Sequence, residues 1–232
     1  MPNTDSLIVL AWPEGVITAA GAWYDSFCAI DGKYRVGHSA IILVNSESKK
    51  LHYFDFGRYH APQGFGRVRD EETDPDVSIP ISAEIKNNKL KNIENILLHT
   101  GNKKANHGEG KLYASVLNNV NFVSAYNFAK NMQEKGIMPY GPFEIKGTNC
   151  SRFVAATIRK SNTTLIKYLR LRFPFCISPS PKRNISICNN NYYVVENDKC
   201  EKISRNQINS YFKGIEKKWG VSLKIYLKNH KS

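Results

Sequence analysis

The stretch that most constrains the fold runs Val36-Gly37-His38-Ser39-Ala40-Ile41-Ile42-Leu43-Val44, then Asn45-Ser46-Glu47-Ser48-Lys49-Lys50, then Leu51-His52-Tyr53-Phe54-Asp55-Phe56. β-Branched and aromatic residues suit a pleated, half-buried surface, and the polar residues between them carry turn chemistry, so the segment reads as an antiparallel hairpin. Its register decides which side chains meet. With the turn centred between residues 47 and 48, His38 lies opposite Gly57 and shares a face with Asp55 and Tyr53. A slip of one residue brings His52 to that face instead.

The rest of the chain alternates short strands and helices. Leu7 to Trp12 is an apolar run closed by Pro13, which suits a buried strand, and Val16 to Ile30 is apolar at mixed helical spacing. Gly57 to Asp76, dense in Arg, Gly and acids with interleaved aromatics, reads as a long ordered loop. Val77 to Ile85 resumes as a strand. Ile93 to Thr100 and Phe122 to Lys135 are helical in pattern, and Gly136 stops the second. Pro139 to Gly147 is an extended connector, followed by a helix over Cys150 to Arg159. Beyond residue 162 the expected elements are a basic amphipathic helix over Thr163 to Phe173, a Pro-rich loop over Pro174 to Asn184, a strand pair over Ile185 to Val195 and a last helix over Gln207 to Trp219. Residues 1–162 are expected to form the core, and 163–232 a basic C-terminal extension packed on it. At 232 residues and 41% hydrophobic, the chain can bury a core of that size.

The helix expected at Cys150 carries the chemistry. A cysteine attacks as thiolate, yet a free thiol with a pKa of about 8.5 is only slightly ionised at neutral pH. Thr148 or Asn149 is placed to cap that helix, and its unpaired N–H groups favour an anion and steady an oxyanion. A base is also needed, and His38, at the start of an otherwise apolar strand, fits that role, with Asp55 first and His52 second as the group that orients it. A lone buried cysteine or histidine is more often structural, and it is the combination that singles out Cys150, His38 and Asp55. Tyr140 is placed either to donate near the site or simply to pack. Arg58, His60, Arg67 and Arg69 either line a cleft for an anionic group or pair with Asp70, Glu71, Glu72, Asp74 and Asp76. His107 has no identified partner.

Gly-His-Ser-Ala on a strand, a second strand with a polar residue near its end, and a distal Asn-Cys-Ser-Arg-Phe on a helix resemble the circularly permuted branch of the NlpC-type papain-like superfamily, which includes lecithin:retinol acyltransferase-like enzymes. The phrase His52 to Tyr59 also resembles a bacterial family of unassigned function. The resemblance covers residues 36–57 and 147–158. It implies an α+β fold with the nucleophile helix packed on an antiparallel sheet, and a cysteine hydrolase acting on a peptide, amide or lipid acyl substrate. Cell-wall peptide cleavage and lipid acyl transfer or thioester cleavage both fall within it.

Five cysteines, Cys28, Cys150, Cys176, Cys188 and Cys200, with no C-x-x-C pair argue against a disulfide framework or zinc knuckle, and no cofactor or metal is expected. The formal charge of +13 is uneven. Residues 1–96 hold ten Lys/Arg against thirteen Asp/Glu, and residues 97–232 hold twenty-three against seven. That excess favours an anionic surface or polymer as partner and leaves a non-catalytic polyanion-binding module as the alternative, although no nucleic-acid motif is present. No positive n-region precedes Leu7 to Trp12, and that run is too short for a signal or a membrane span. The default expectation is therefore the cytoplasm, with export by a non-Sec route open.

Overall fold

The structure is a computed structural model that describes residues 4–19, 21, 25–35, 37–173 and 180–205. Twelve strands occur among them: β1 (Asp5–Trp12), β2 (Val16–Thr18), β3 (Lys33–Arg35), β4 (His38–Val44), β5 (Leu51–Gly57), β6 (Phe65–Arg69), β7 (Ile85–Lys86), β8 (Lys89–Leu90), β9 (Leu112–Val120), β10 (Met138–Pro139), β11 (Tyr192–Glu196) and β12 (Lys199–Ile203). The helices are α1 (Asp25–Cys28), α2 (Ile93–Gly101), α3 (Phe122–Glu134), α4 (Cys150–Lys160), α5 (Leu165–Arg172) and α6 (Pro181–Cys188). One antiparallel sheet in the order β10-β6-β5-β4-β1-β9-β11-β12 forms the spine of this α+β fold.

Both faces of the sheet are covered, which explains why β1 and β4 read as continuous apolar runs rather than alternating ones. On one face Leu7, Val9, Ala11, Ile41, Leu43, Phe54 and Phe56 pack against Phe153, Val154, Ile158 and the other residues of α3, α4 and α6. On the other, Ile8, Leu10, Trp12, Ala40, Ile42 and Tyr53 pack against α2 and the chain around Val77, Ile79 and Ala83. Between β4 and β5 the turn is held by Asn45, whose Oδ1 accepts from the backbone N–H of Glu47 and Ser48 at 2.9 Å each. The pairs Val44↔Leu51, Ile42↔Tyr53 and Ala40↔Asp55 set the register, which is the one centred between residues 47 and 48.

Several elements differ from expectation. Val16 to Ile30 holds not a helix but β2, paired with β3, and the single turn α1, with Gly21 at φ +86 between them. The loop expected over Gly57 to Asp76 contains β6, an inner strand paired with both β5 and β10. In place of a strand over Val77 to Ile85, a 3-10 turn Pro75–Val77 leads into chain with no ladder, since Pro80 has no N–H to give one. β9 is not evident from sequence, because Tyr113, Ser115, Asn118 and Asn119 break up its apolar pattern, although it pairs with β1 from Tyr113 to Val120 with a register shift at Asn119. Residues 181–188, expected to be loop and strand, form α6, with Ser180 capping and Pro181 at the first turn. Here α6 joins the first core face and β11 pairs with β9, so the described part of the C-terminal region continues the main sheet. The helix expected over Gln207 to Trp219 lies outside the described residues, as does Cys176.

Candidate active site

β4 stays paired with β1 as far as His38, whereas its pairing with β5 ends at Ala40↔Asp55. The two strands therefore part at the end that carries His38 and Gly57. Gly37, at φ +66, makes the entry to β4 possible, since a Cβ there would sit 2.4 Å from the Trp12 carbonyl oxygen. The His38 ring is stacked on Trp12 with centroids 5.8 Å apart and meets the Tyr59 ring edge-on at 6.3 Å.

Asp55, fully buried on the neighbouring strand, gathers five hydrogen bonds. Its Oδ2 accepts from His38 Nε2 at 3.0 Å, from the hydroxyls of Tyr53 and Tyr59 at 3.0 Å each, and from Arg69 Nη2 at 2.8 Å. Its Oδ1 accepts from Arg69 Nε at 3.0 Å. Arg69 stands directly across from Asp55 in the β5–β6 ladder, donates also to the Ala105 carbonyl at 3.1 Å, and lies over the Tyr59 ring at 3.4 Å. Burial alone would raise the Asp55 pKa, but the His38 and Arg69 contacts outweigh it and hold the carboxyl well below the usual carboxylate range.

Cys150 is the first residue of α4. Asn149 caps that helix, its side chain accepting from Arg152 N–H at 2.9 Å. His38 and Cys150 act on each other electrostatically, each favouring the other's charged form, and because His38 Nε2 is committed to Asp55 at 3.0 Å, Nδ1 is the ring nitrogen left for the sulfur. The hydroxyls of Tyr140 and Ser151 each lie 3.9 Å from the sulfur. Tyr140 is held by stacking on Phe56 at 5.7 Å and by the backbone bridge between Pro139–Gly141 and Thr148.

These contacts set the protonation states. Burial opposes a charge on His38, but the hydrogen bonds and charges of Asp55 and Cys150 overcome it and raise the ring to about 9. Burial likewise opposes a Cys150 thiolate, and His38, Ser151 and Tyr140 together bring that thiol below its ordinary value. Cys188 and Cys200 go the other way, pushed up by burial to about 12 and about 11. The His38 imidazolium, the Asp55 carboxylate and the Arg69 guanidinium thus alternate in sign, and ionisation of the Cys150 thiol is favoured beside His38.

The structure brings Cys150, His38 and Asp55 together and sets His52 apart. His52 lies on the opposite face of β5, paired with Glu71 at 2.8 Å and packed against Phe122 and Tyr126. Of the four basic candidates, Arg67 is held bidentately by Asp74 at 2.7 Å and Arg69 by Asp55, while His60 is exposed. Arg58 donates to the Thr18 carbonyl at 3.2 Å and lies 5.7 Å from the Tyr140 ring centroid, with no carboxylate partner among the described residues. Asp70 and Glu72 share Lys130 at 2.7 Å. His107 packs on Tyr59 at 5.1 Å, beside the site. Among the described residues no cluster of His, Cys, Asp or Glu has the arrangement of a metal site. Tyr59 and Trp12 have no site assignment from sequence, and Arg69, expected either to line a cleft or to pair with an acid of residues 70–76, binds Asp55 instead, for which the signal is the Arg67-Val68-Arg69 alternation beside an acid-bearing strand.

A family model described as type VI secretion system effector TseH-like matches residues 7–166. Among solved structures, the chain is similar to the crystal structure of the type VI secretion system effector TseH, at 17% sequence identity with a TM-score of 0.58, over 85% of this chain and 97% of that one. No curated protein matches the chain. The shared fold is the α+β, papain-like arrangement of helices on a large antiparallel sheet.

Proposed function

The chain belongs to the type VI secretion system effector TseH-like family, and from that premise we propose that it is a cysteine hydrolase of amide bonds, with Cys150 as nucleophile, His38 as acid and base, and Asp55 as the residue that orients His38. Membership of an effector family fits export by a non-Sec route. The observation that carries the reading is the series Cys150, His38, Asp55, in which His38 is bonded to Asp55 at 3.0 Å and lowers the Cys150 thiol pKa, while burial raises those of Cys188 and Cys200.

In the first half-reaction the Cys150 thiolate attacks the carbonyl carbon, and the S–C bond forms as the carbonyl π pair moves onto oxygen. The donors nearest that oxyanion are the Cys150 backbone N–H at the start of α4 and the Tyr140 hydroxyl. As the C–N bond breaks, His38 gives its Nδ1 proton to the leaving amine. In the second half-reaction His38 takes a proton from water, hydroxide adds to the thioester, and the acid leaves as the thiolate reforms. Asp55 remains a carboxylate throughout, since Arg69 and two tyrosines hold it ionised, and it keeps the His38 Nε2–H pointing inward. Arg58, beside Tyr140 and without a carboxylate partner among the described residues, favours substrates with an anionic group near the scissile bond, so acidic stem peptides of the cell wall are the first substrates to assay.

The test is to trap the acyl-enzyme. Full-length protein incubated with stem peptides and quenched in acid is expected to carry the peptide acyl mass on the tryptic fragment containing Cys150. Amide cleavage with the adduct on another residue, or undiminished cleavage by Cys150→Ala, would overturn the reading. An adduct drawn from a phospholipid ester in place of the peptide would convert it to a lipid acyltransferase using the same site.

A further inference from the structure

α5 is turned inside out. It packs on α4 and α6 through Leu171, which is 2% exposed, and through the partly buried Lys167 and Arg170, while Leu165 (71% exposed), Ile166 (60%) and Leu169 (45%) face outward together with Phe173 (67%) at the C-cap. At 3.6 residues per turn, Leu165, Ile166 and Leu169 fall within an arc of about 100°. An isolated exposed leucine means little, but a contiguous apolar stripe of this kind marks a contact surface.

The charge around the stripe says what it contacts. From residue 145 to residue 195 the sequence has nine Lys/Arg and no Asp/Glu. Arg159 donates to the Leu171 carbonyl at 3.2 Å and Arg152 to the Glu144 carbonyl at 2.8 Å. Lys160 and Arg172 are exposed beside the stripe. Outward leucine, isoleucine and phenylalanine flanked by exposed cations are the two components of interfacial membrane binding, one seated at the acyl boundary and the other attracted to anionic headgroups. A second copy of the chain would set like charges against each other. Residues 206–232, with six Lys against one Glu, carry the same sign. A polyanion such as nucleic acid would leave the apolar side chains in water. No helix among the described residues is long and apolar enough to cross a membrane.

We infer that the α5 face, Leu165, Ile166, Leu169 and Phe173 with Lys160 and Arg172, docks the protein on the surface of an anionic phospholipid bilayer. This rests on a different part of the molecule from Cys150 and stands whether or not that residue is catalytic.

The test is co-sedimentation of the full chain with vesicles of phosphatidylcholine containing phosphatidylglycerol, and with phosphatidylcholine alone. The protein is expected to pellet with the anionic vesicles and to be released in about 0.5 M salt, where screening is nearly complete. Ile166→Ser/Leu169→Ser and Lys160→Gln/Arg172→Gln are each expected to weaken binding by about tenfold or more. A cooperative thermal unfolding transition followed by circular dichroism serves as the check that each variant is folded. Absence of pelleting with anionic vesicles at low salt would overturn the inference, as would full binding by the Ser double variant or self-association through this face without lipid binding. If the Ser double variant does not fold, Phe173→Ser, at the exposed end of the stripe, decides in its place.

Discussion

Replacing Cys150 by alanine is expected to reduce amide hydrolysis by roughly 10⁴-fold or more, and replacing His38 by alanine to cost nearly as much, with the double variant no worse than the worse single one. The non-additivity follows from the chemistry. Without His38 the buried sulfur loses the charge that stabilises its thiolate and the proton donor for the leaving amine, and without Cys150 the imidazolium has nothing to activate. Turnover of the unaltered enzyme should be bell-shaped in pH. The acid limb reflects protonation of Cys150 below its ordinary value, and the alkaline limb reflects loss of the His38 proton near pH 9. Steady-state release of amine groups from stem peptides measures both effects. Losses that simply add in the double variant would mean that the two residues act separately.

Arg69→Met is expected to destabilise the fold by about 3–5 kcal/mol, because it leaves the fully buried Asp55 carboxylate without the guanidinium that offsets its desolvation. Its pH dependence has a definite sign. Asp55 titrates below its unfolded value, so its contribution to stability is complete above about pH 4 and is lost as pH falls toward the folded pKa. Without Arg69 the folded pKa rises, and acid unfolding should begin at higher pH. His38 acts oppositely. Raised to about 9, it contributes fully below its unfolded pKa of about 6.5, and that contribution fades as pH rises through 9. Asp55→Asn/Arg69→Met, which removes both charges, should recover part of the stability lost by Arg69→Met alone, as measured by chemical denaturation at pH 7. A loss below 1 kcal/mol for Arg69→Met would show that His38 and the two tyrosines hold the Asp55 carboxylate without the guanidinium.

Much of this site was legible from residues near one another in the chain. The hairpin over residues 36–57 offers two registers from sequence, and its Asn45 turn selects the one in which His38 and Asp55 share a face. The capped helix at Cys150 was equally local, with Asn149 in the position that accepts from Arg152. What sequence did not disclose comes from pairings distant in the chain. β9 is polar at Tyr113, Ser115 and Asn118, and only its place between β1 and β11 makes it a strand. Arg69 looked like one arginine in a loop, because β6 exists through its pairing with β5 and β10. Tyr140 belongs to the site because Gly147 lets the connector fold back on itself, with room for no Cβ beside the Pro139 carbonyl. The inverted α5 was legible as amphipathic and basic, but which face it buries depended on α4 and α6.

The central claim is that Cys150 and His38 form an ion pair, and the pH dependence of Cys150 alkylation tests it most directly. Comparing the rate with itself across pH removes the effect of limited access, and Cys188 and Cys200 serve as internal controls that should react only at alkaline pH. In the unaltered protein the iodoacetamide rate at Cys150 should remain high well below the ordinary thiol pKa of about 8.5, and in His38→Ala the inflection should move up to that value or beyond it. An inflection at or above about 8.5 in the unaltered protein, unmoved by His38→Ala, would contradict the account.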